Sequence, residues 1–420
     1  MTNPDKGKLI LNMLQDKGVQ IPCPESVEIG DDISLDKVSG DRVVIHSGCK
    51  LFGSETLIMS GAQIGYEAPA TVHDCQLGRD VQLKGGFFHR STFLEKSSMG
   101  SGAQVRESCL LEEGSRCGHT VGLKHTILFP FVTLGSLINF CDCLMAGGTD
   151  ERNHSEVGSS YIHFNYTPDQ DKATPSLIGD VPRGVMINQA PIFLGGQGGL
   201  VGPVNIEYGT VVAAGTIVRK DITKGNSMLL GHPSLSKTMP FHPGLYGNLK
   251  RIIKLNTFYI ANLLALRRWY LDVRSKFSHR DDLEQALHRG AVDKLDSAIF
   301  ERLKHLNNLA GKMSLSIEVQ KNLVGNPSKK NLLRKKEFSE RWEEIEQYFK
   351  DCFDKEGDPS KRDGFLKIID RAMSRDGMDY IKVIKGLREK ESALGVSWLK
   401  GLVNNFRKGA WSLLPDMDIK

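Results

Sequence analysis

Arg106 and Lys124 stand eighteen residues apart. A planar guanidinium fork beside a mobile ammonium makes a phosphate clamp. Single surface cations are commonplace, so the pair means chemistry only if the fold stacks the two side chains. Asn165-Tyr166 precedes Thr167-Pro168; its amide both donates and accepts and suits sugar hydroxyls, and it serves equally well as a turn residue. His119 and His154 carry the side chain that takes a proton near neutral pH. The eight cysteines are spread singly from Cys23 to Cys352, apart from Cys141-Asp-Cys143. A metal site needs a second pair at short spacing, so no metal centre is expected. These cysteines read as reduced thiols of a reducing compartment.

The elements that must position these residues announce themselves as aliphatic-Gly pairs. They fall at Ile29-Gly30, Ile64-Gly65, Leu77-Gly78, Met99-Gly100, Leu134-Gly135, Val157-Gly158, Ile178-Gly179 and Val201-Gly202, at spacings near multiples of six. A six-residue repeat means a coil of three short strands, each sending one aliphatic side chain inward, with a small residue at the corner. Such coils bury their apolar face only against the next coil, which predicts a mainly β, parallel β-helix solenoid. Eighteen residues are then one coil. Arg106 and Lys124 would lie on one face, about 5 Å apart along the solenoid axis.

Residues 1–24 read as an N-terminal arm, with an amphipathic stretch from Leu9 to Leu14 and then Ile21-Pro22-Cys23-Pro24, which cannot continue a helix. The solenoid is expected over 25–235. Two stretches break its phase, Gly147 to His154 and Val181 to Gly198, as loops that shape a binding site or as neutral decoration. Past His232-Pro233 and His242-Pro243 the period changes to three and four residues: Val292, Leu295, Ile299, Leu303 and Leu306 are one example, and Phe338, Trp342, Ile345 and Phe349 another. Residues 236–275 are expected to form a linker and a basic amphipathic helix, and 276–420 a helical domain with breaks at Gly325-Asn-Pro327 and Gly357-Asp-Pro359. The stretch Leu249 to Arg274 holds six cations against Asp272, which reads as a face for an acidic partner or a membrane surface, or as a solvated helix face packed beside the solenoid.

The net charge of +5 over 420 residues is mild, which argues against a nucleic-acid partner. The longest apolar run, Phe258 to Leu266, is far short of a membrane span. The first residues lack the apolar core of a signal peptide. The chain is therefore expected in the cytoplasm, without a transmembrane segment.

Several segments together resemble the C-terminal acetyltransferase half of the bacterial bifunctional enzyme that makes UDP-N-acetylglucosamine. They are Leu14 to Ser26, Leu111-Glu-Glu-Gly114 through Lys124, His163-Phe-Asn-Tyr166, Ser176-Leu-Ile-Gly-Asp180 and Val204 through Asp221, in order over residues 10–235. The uridylyltransferase half has no counterpart, and residues 246–420 resemble nothing we can name. The resemblance implies a left-handed β-helix of the hexapeptide-repeat superfamily, a homotrimer, and an acyl-CoA such as acetyl-CoA as co-substrate. It implies that Arg106 and Lys124 hold the phosphate of the acceptor sugar and that Asn165, with Tyr166, contacts the sugar. It also implies that small residues, Ala213 and Ala214, let the pantetheine arm lie against the coil.

The departures from that pattern matter more. The catalytic His, twelve residues after the Lys, is replaced by Ser136, and a Ser hydroxyl is no general base near neutral pH unless another base activates it. The acceptor-binding Tyr is replaced by Asn139. The coenzyme-holding basic residue is lost around Gly231-His232. His119, one coil before residue 137, and His154, one coil after Ser136, are the candidate substitutes. Two functions follow from the resemblance: an acyltransferase acting on an amino sugar, or a non-catalytic UDP-sugar or sugar-phosphate binder whose helical tail engages another protein.

Overall fold

Pairs of residues, not long strands, build the first half of the chain in the computed structural model, which describes residues 4–231, 238–278, 281–323 and 328–419. Strands of two to four residues stack in parallel into three sheets of ten, eight and ten strands. We number the sheets in the order the chain meets them within one coil. Ala103–Val105 belongs to sheet 1, Leu110–Leu111 to sheet 2 and Arg116–Cys117 to sheet 3, after which Gly122–Lys124 returns to sheet 1. Val72, Phe88, Val105, Leu123, Phe140 and Leu200 enter the prism from sheet 1 and are buried. The parallel β-helix expected from the six-residue repeat and the helices expected from the later three- and four-residue period are both present.

The corner glycines are explained by crowding. A Cβ on Gly118 would sit 2.6 Å from the Ser136 hydroxyl, and one on Gly135 2.9 Å from the Ser159 backbone nitrogen. The next coil passes too close for any side chain.

Sheets 1 and 3 alternate outward and inward residues, as in Ala103-Gln104-Val105 of sheet 1 and Ser98-Met99 and Arg116-Cys117 of sheet 3. Sheet 2 buries both residues of most of its pairs, among them Leu57-Ile58, Thr92-Phe93, Leu110-Leu111 and Ile127-Leu128. The cover is helical. Helix α1 (Pro4–Asp16) packs at the first coil. Helix α2 (Leu249–Asp272) is buried along most of its length and packs against α3 (Asp282–Gly311) and α4 (Glu389–Ser412). Helix α3 runs over the sheet 2 strands from Leu57–Ile58 to Leu110–Leu111.

Much of the helix that carries the basic stretch is buried, and most of its cations have intrachain partners. Arg251 pairs with Asp221, Arg267 with Asp296 and Arg268 with Asp272, while Arg274 meets Glu113 at 2.7 Å. Carboxylates of the solenoid, Asp221 and Glu113, and of the helices themselves, Asp296 and Asp272, answer this charge. Of the two phase breaks, 147–154 is a hairpin of Gly148–Asp150 against Asn153–His154. The other opens with a helical turn, Val181–Gly184, capped by Asp180. It docks on the helices: Val181 N donates to Asn262 on α2 at 3.0 Å, and Asn188 to Ser392 on α4 at 3.0 Å. Asp358 caps the helix Pro359–Asp376. His232-Pro233 and Gly325-Asn-Pro327 lie outside the described residues. No helix among the described residues is long and apolar enough to cross a membrane.

Two buried histidines set a pH expectation. Burial pushes His163 and His305 down to about 4. Between pH 6.5 and 4 the unfolded chain then binds more protons at these sites, so stability falls as pH falls through that window. Glu112, which burial lifts to about 7 against the pull of Arg274, acts oppositely over the same range. The comparison must therefore be with a variant: melting temperature should drop less steeply from pH 6.5 to 4 in His163→Gln/His305→Gln than in the parent, and parallel curves would refute the assignment.

Candidate functional site

The register decides which side chains meet. Gln104 pairs with Gly122 and Val105 with Leu123, so Arg106 and Lys124 stack at the end of sheet 1, on the corner that leads into sheet 2. Lys124 in turn pairs with Cys141. Both cations reach solvent, and Arg106 has no carboxylate within ion-pair distance among the described residues.

Lys124 is not free, which sequence reasoning missed. Its ammonium meets Glu107 at 2.8 Å. Burial alone would raise the Glu107 carboxyl, but the hydrogen bond and charge of Lys124 outweigh it and hold the group down to about 2. The same bond raises Lys124. The cluster Arg106, Glu107 and Lys124 therefore carries one net positive charge at neutral pH. The signal was in the sequence, since Glu107 directly follows Arg106, but side chains of adjacent residues at a corner are hard to place without coordinates. Cys141 was also missed as a neighbour; burial and then Asp142 push its thiol up to about 11, so it is no nucleophile at neutral pH.

Asn165 and Tyr166 follow the sheet 1 strand Ile162–Phe164, whose Ile162 pairs with Asn139. Phe164 continues the column of Arg106, Lys124 and Cys141, so the loop leaves the prism at the same corner. The Asn165 side-chain oxygen accepts from Thr174 at 2.9 Å, which leaves its NH2 to donate. Tyr166 is 69% exposed. Asn139 projects from sheet 1 near Cys141, whose thiol donates to it at 3.9 Å.

The base position lies at the opposite edge of sheet 1, at the corner from sheet 3. Ser136 N donates to the Ser159 hydroxyl at 3.2 Å. No titratable side chain hydrogen-bonds to the Ser136 hydroxyl among the described residues. Coil length here is seventeen, with Cys117 paired to Leu134, so His119 stands level with Ser136 itself and not with residue 137. Its ring approaches Thr120 at 3.3 Å. His154 is placed differently from the sequence expectation. The hairpin lengthens its coil, Leu134 pairs with Val157, and Ser159 occupies the level above Ser136. His154 lies in the hairpin, with Glu151 O at 2.9 Å and Glu156 at 3.8 Å, and is not brought to Ser136.

Ala213 and Ala214 occupy the same sheet 3 to sheet 1 corner, higher in the stack. A Cβ on Gly195 would sit 2.4 Å from Ala214 N. One column thus holds His119, Ser136, Ser159, Gly196 and Ala214. Gly231 ends the described stretch, and His232 lies beyond it. Cys141 is five residue steps beyond Ser136, at most about 16 Å of strand, so one edge of sheet 1 carries the cations and the other the base position.

Comparison with known proteins agrees with this architecture. Among relatives, the bifunctional protein GlmU of Pelobacter propionicus is 26% identical over 221 residues, covering 52% of this chain and 43% of the relative. The solenoid is similar to that of GlmU. GlmU of Oleidesulfovibrio alaskensis and of Thermotoga petrophila are each 26% identical over 210 residues, 50% of this chain and 40% and 41% of theirs. The stacked coils agree with the hexapeptide-repeat acetyltransferase half of GlmU. The chain spans less than half the length of these relatives. No family model matches it.

Proposed function

We propose that the chain binds a phosphosugar or UDP-sugar on the outer face of sheet 1, as a sugar-nucleotide acetyltransferase-like protein. The observation that carries the reading is the convergence of Arg106, Lys124 and the Asn165-Tyr166 loop on one corner. Arg106 offers a bidentate fork to phosphate oxygens and Lys124 a point charge, while the Asn165 NH2 donates to a sugar hydroxyl. An acyl-CoA would lie along the small residues of the other edge, past Ala214 and Ala213. In acyl transfer the amine nitrogen bonds the thioester carbon, the C–S bond breaks and coenzyme A leaves as its thiol. The proton lost by the amine needs a base, and His119 is the nearest candidate by register. A homotrimer, as in the resemblance, would have to form through sheets 1 and 3, because sheet 2 is covered.

A second reading has its own support. Among the described residues Ser136 stands at the base position with no titratable side chain bonded to its hydroxyl, as expected of a binder that retains the ligand and has lost the reaction. A thiol-release assay with acetyl-CoA and glucosamine 1-phosphate, run beside calorimetric titration with UDP-N-acetylglucosamine, separates the two. No thiol release and no heat with UDP-N-acetylglucosamine or glucosamine 1-phosphate, each titrated, would remove both readings.

If the transferase scaffold survives, Ser136→His returns a base with an ordinary pKa near 6.5. Thiol release should then rise, within the roughly 10²–10⁴-fold that a positioned base contributes. If the parent is already active and His119→Ala costs nothing, the base has been placed wrongly.

A further inference from the structure

The helical half touches the candidate site through two sets of bonds. The first holds the loop that bears Asn165. Gly244 N donates to Asp169 at 2.8 Å, and the Lys312 ammonium donates to the Asp169 carbonyl. The Tyr246 hydroxyl donates to Asp171 at 2.8 Å in a buried contact, and Asn256 of α2 donates to the Ala173 carbonyl at 3.0 Å. Tyr246 is itself fixed, its backbone N donating to Ser316 at 3.0 Å. From Ala173 the next residue, Thr174, bonds the Asn165 amide oxygen. The sugar-facing amide is thus oriented by a loop whose far side is fastened to helices.

The second set meets the clamp strand. Arg302 of α3 donates to Asp142 at 2.6 Å, with side chains only 1% and 4% exposed. The backbone of Asp142 joins both halves of the site: its N donates to the Lys124 carbonyl at 3.1 Å, and its carbonyl accepts from Ser176 N, where the loop rejoins the prism, at 3.0 Å.

We infer that the helical region is a positioning element for the sugar-phosphate site, acting through Tyr246 and Lys312 on the Asn165 loop and through Arg302 on the corner between Lys124 and that loop. The inference rests on the reading of the site as a sugar-phosphate site. None of these residues touches the ligand; each acts through another. The solenoid's own ladder fixes the strands that carry Arg106 and Lys124, whereas residues 165–175 lie outside the ladder and have the helices as an anchor. A clamp without the anchor would still hold phosphate, and lose the sugar.

That split supplies the test, on the full chain. Tyr246→Phe removes one hydroxyl, and Asp169→Asn weakens one loop anchor. Each should weaken glucosamine 1-phosphate or UDP-N-acetylglucosamine about five- to tenfold in calorimetry, within the range of one lost net hydrogen bond. Inorganic phosphate affinity should stay unchanged, and amide hydrogen exchange over 165–175 should speed up. Arg106→Ala/Lys124→Ala should weaken sugar phosphate and inorganic phosphate alike. Sugar binding that needs the two cations but ignores Tyr246→Phe and Asp169→Asn overturns the positioning role alone. Equal losses for sugar phosphate and inorganic phosphate in the loop-anchor variants also overturn it. Binding that ignores the cations, or no binding by the parent, overturns the site reading and this inference with it.

Discussion

Arg302→Met is expected to destabilise the protein by about 3–5 kcal/mol, because it strands the Asp142 carboxylate in a buried corner without its counter-charge. Both side chains of the pair are almost wholly buried, so solvent cannot take over the missing partner. The pair itself need contribute little. Desolvating two charges offsets most of their attraction, and Arg302 leaves one guanidinium nitrogen, Nη1, without a hydrogen bond. The double variant Arg302→Met/Asp142→Asn should therefore recover much of the loss. Asn is the right replacement, since Asp142 has φ 61°, a left-handed conformation that Asn tolerates and branched residues do not. Urea unfolding midpoints of the four chains in the cycle measure this. A single variant as stable as the parent, or a double variant no better than the single, would contradict the assignment.

The second large effect is on binding. Arg106→Ala/Lys124→Ala should remove about 2–4 kcal/mol of sugar-phosphate binding, two charge-assisted hydrogen bonds' worth. Glu107→Gln should move the other way. Its carboxylate stays ionised down to about pH 2 and holds the Lys124 ammonium that a phosphate must recruit. Titration should show tighter phosphate binding by the Gln variant, more so at low salt. If Glu107→Gln weakens binding instead, the carboxylate belongs to the sugar's recognition and not to its competition.

The prism was legible because its rule is local. Each aliphatic-Gly pair, such as Leu134-Gly135, states in two residues that one side chain goes in and that the next coil passes close. The stacking of Arg106 on Lys124 follows from the same rule where coils keep eighteen residues. It fails where they do not: seventeen residues bring His119 level with Ser136, and the hairpin at 148–154 carries His154 away. A further signal went unread. Sheet 2 strands such as Leu110-Leu111 and Ile127-Leu128 are apolar at both positions, which marks a sheet covered on both faces, whereas Ser98-Met99 and Arg116-Cys117 mark an open one. That contrast identifies the flank on which the helices must lie. The bonds from Tyr246 to Asp171 and from Arg302 to Asp142 join residues 75 and 160 apart in sequence. Spacing rules do not reach such pairs, because the docking geometry of the helices alone creates them.

Stacked repeats ordinarily behave as a one-dimensional chain: each unit feels only its neighbours, so the ends fray and unfolding can stop part-way. Helix α3 changes the dimensionality. Its 30 residues extend about 45 Å, and it lies across consecutive sheet 2 strands from Leu57–Ile58 to Leu110–Leu111. A coil at its middle cannot open without also stripping the helix from its fellows. The molecule should therefore melt in one concerted transition, with the tie-rod of α3 holding coils together that nearest-neighbour contacts alone would let go singly.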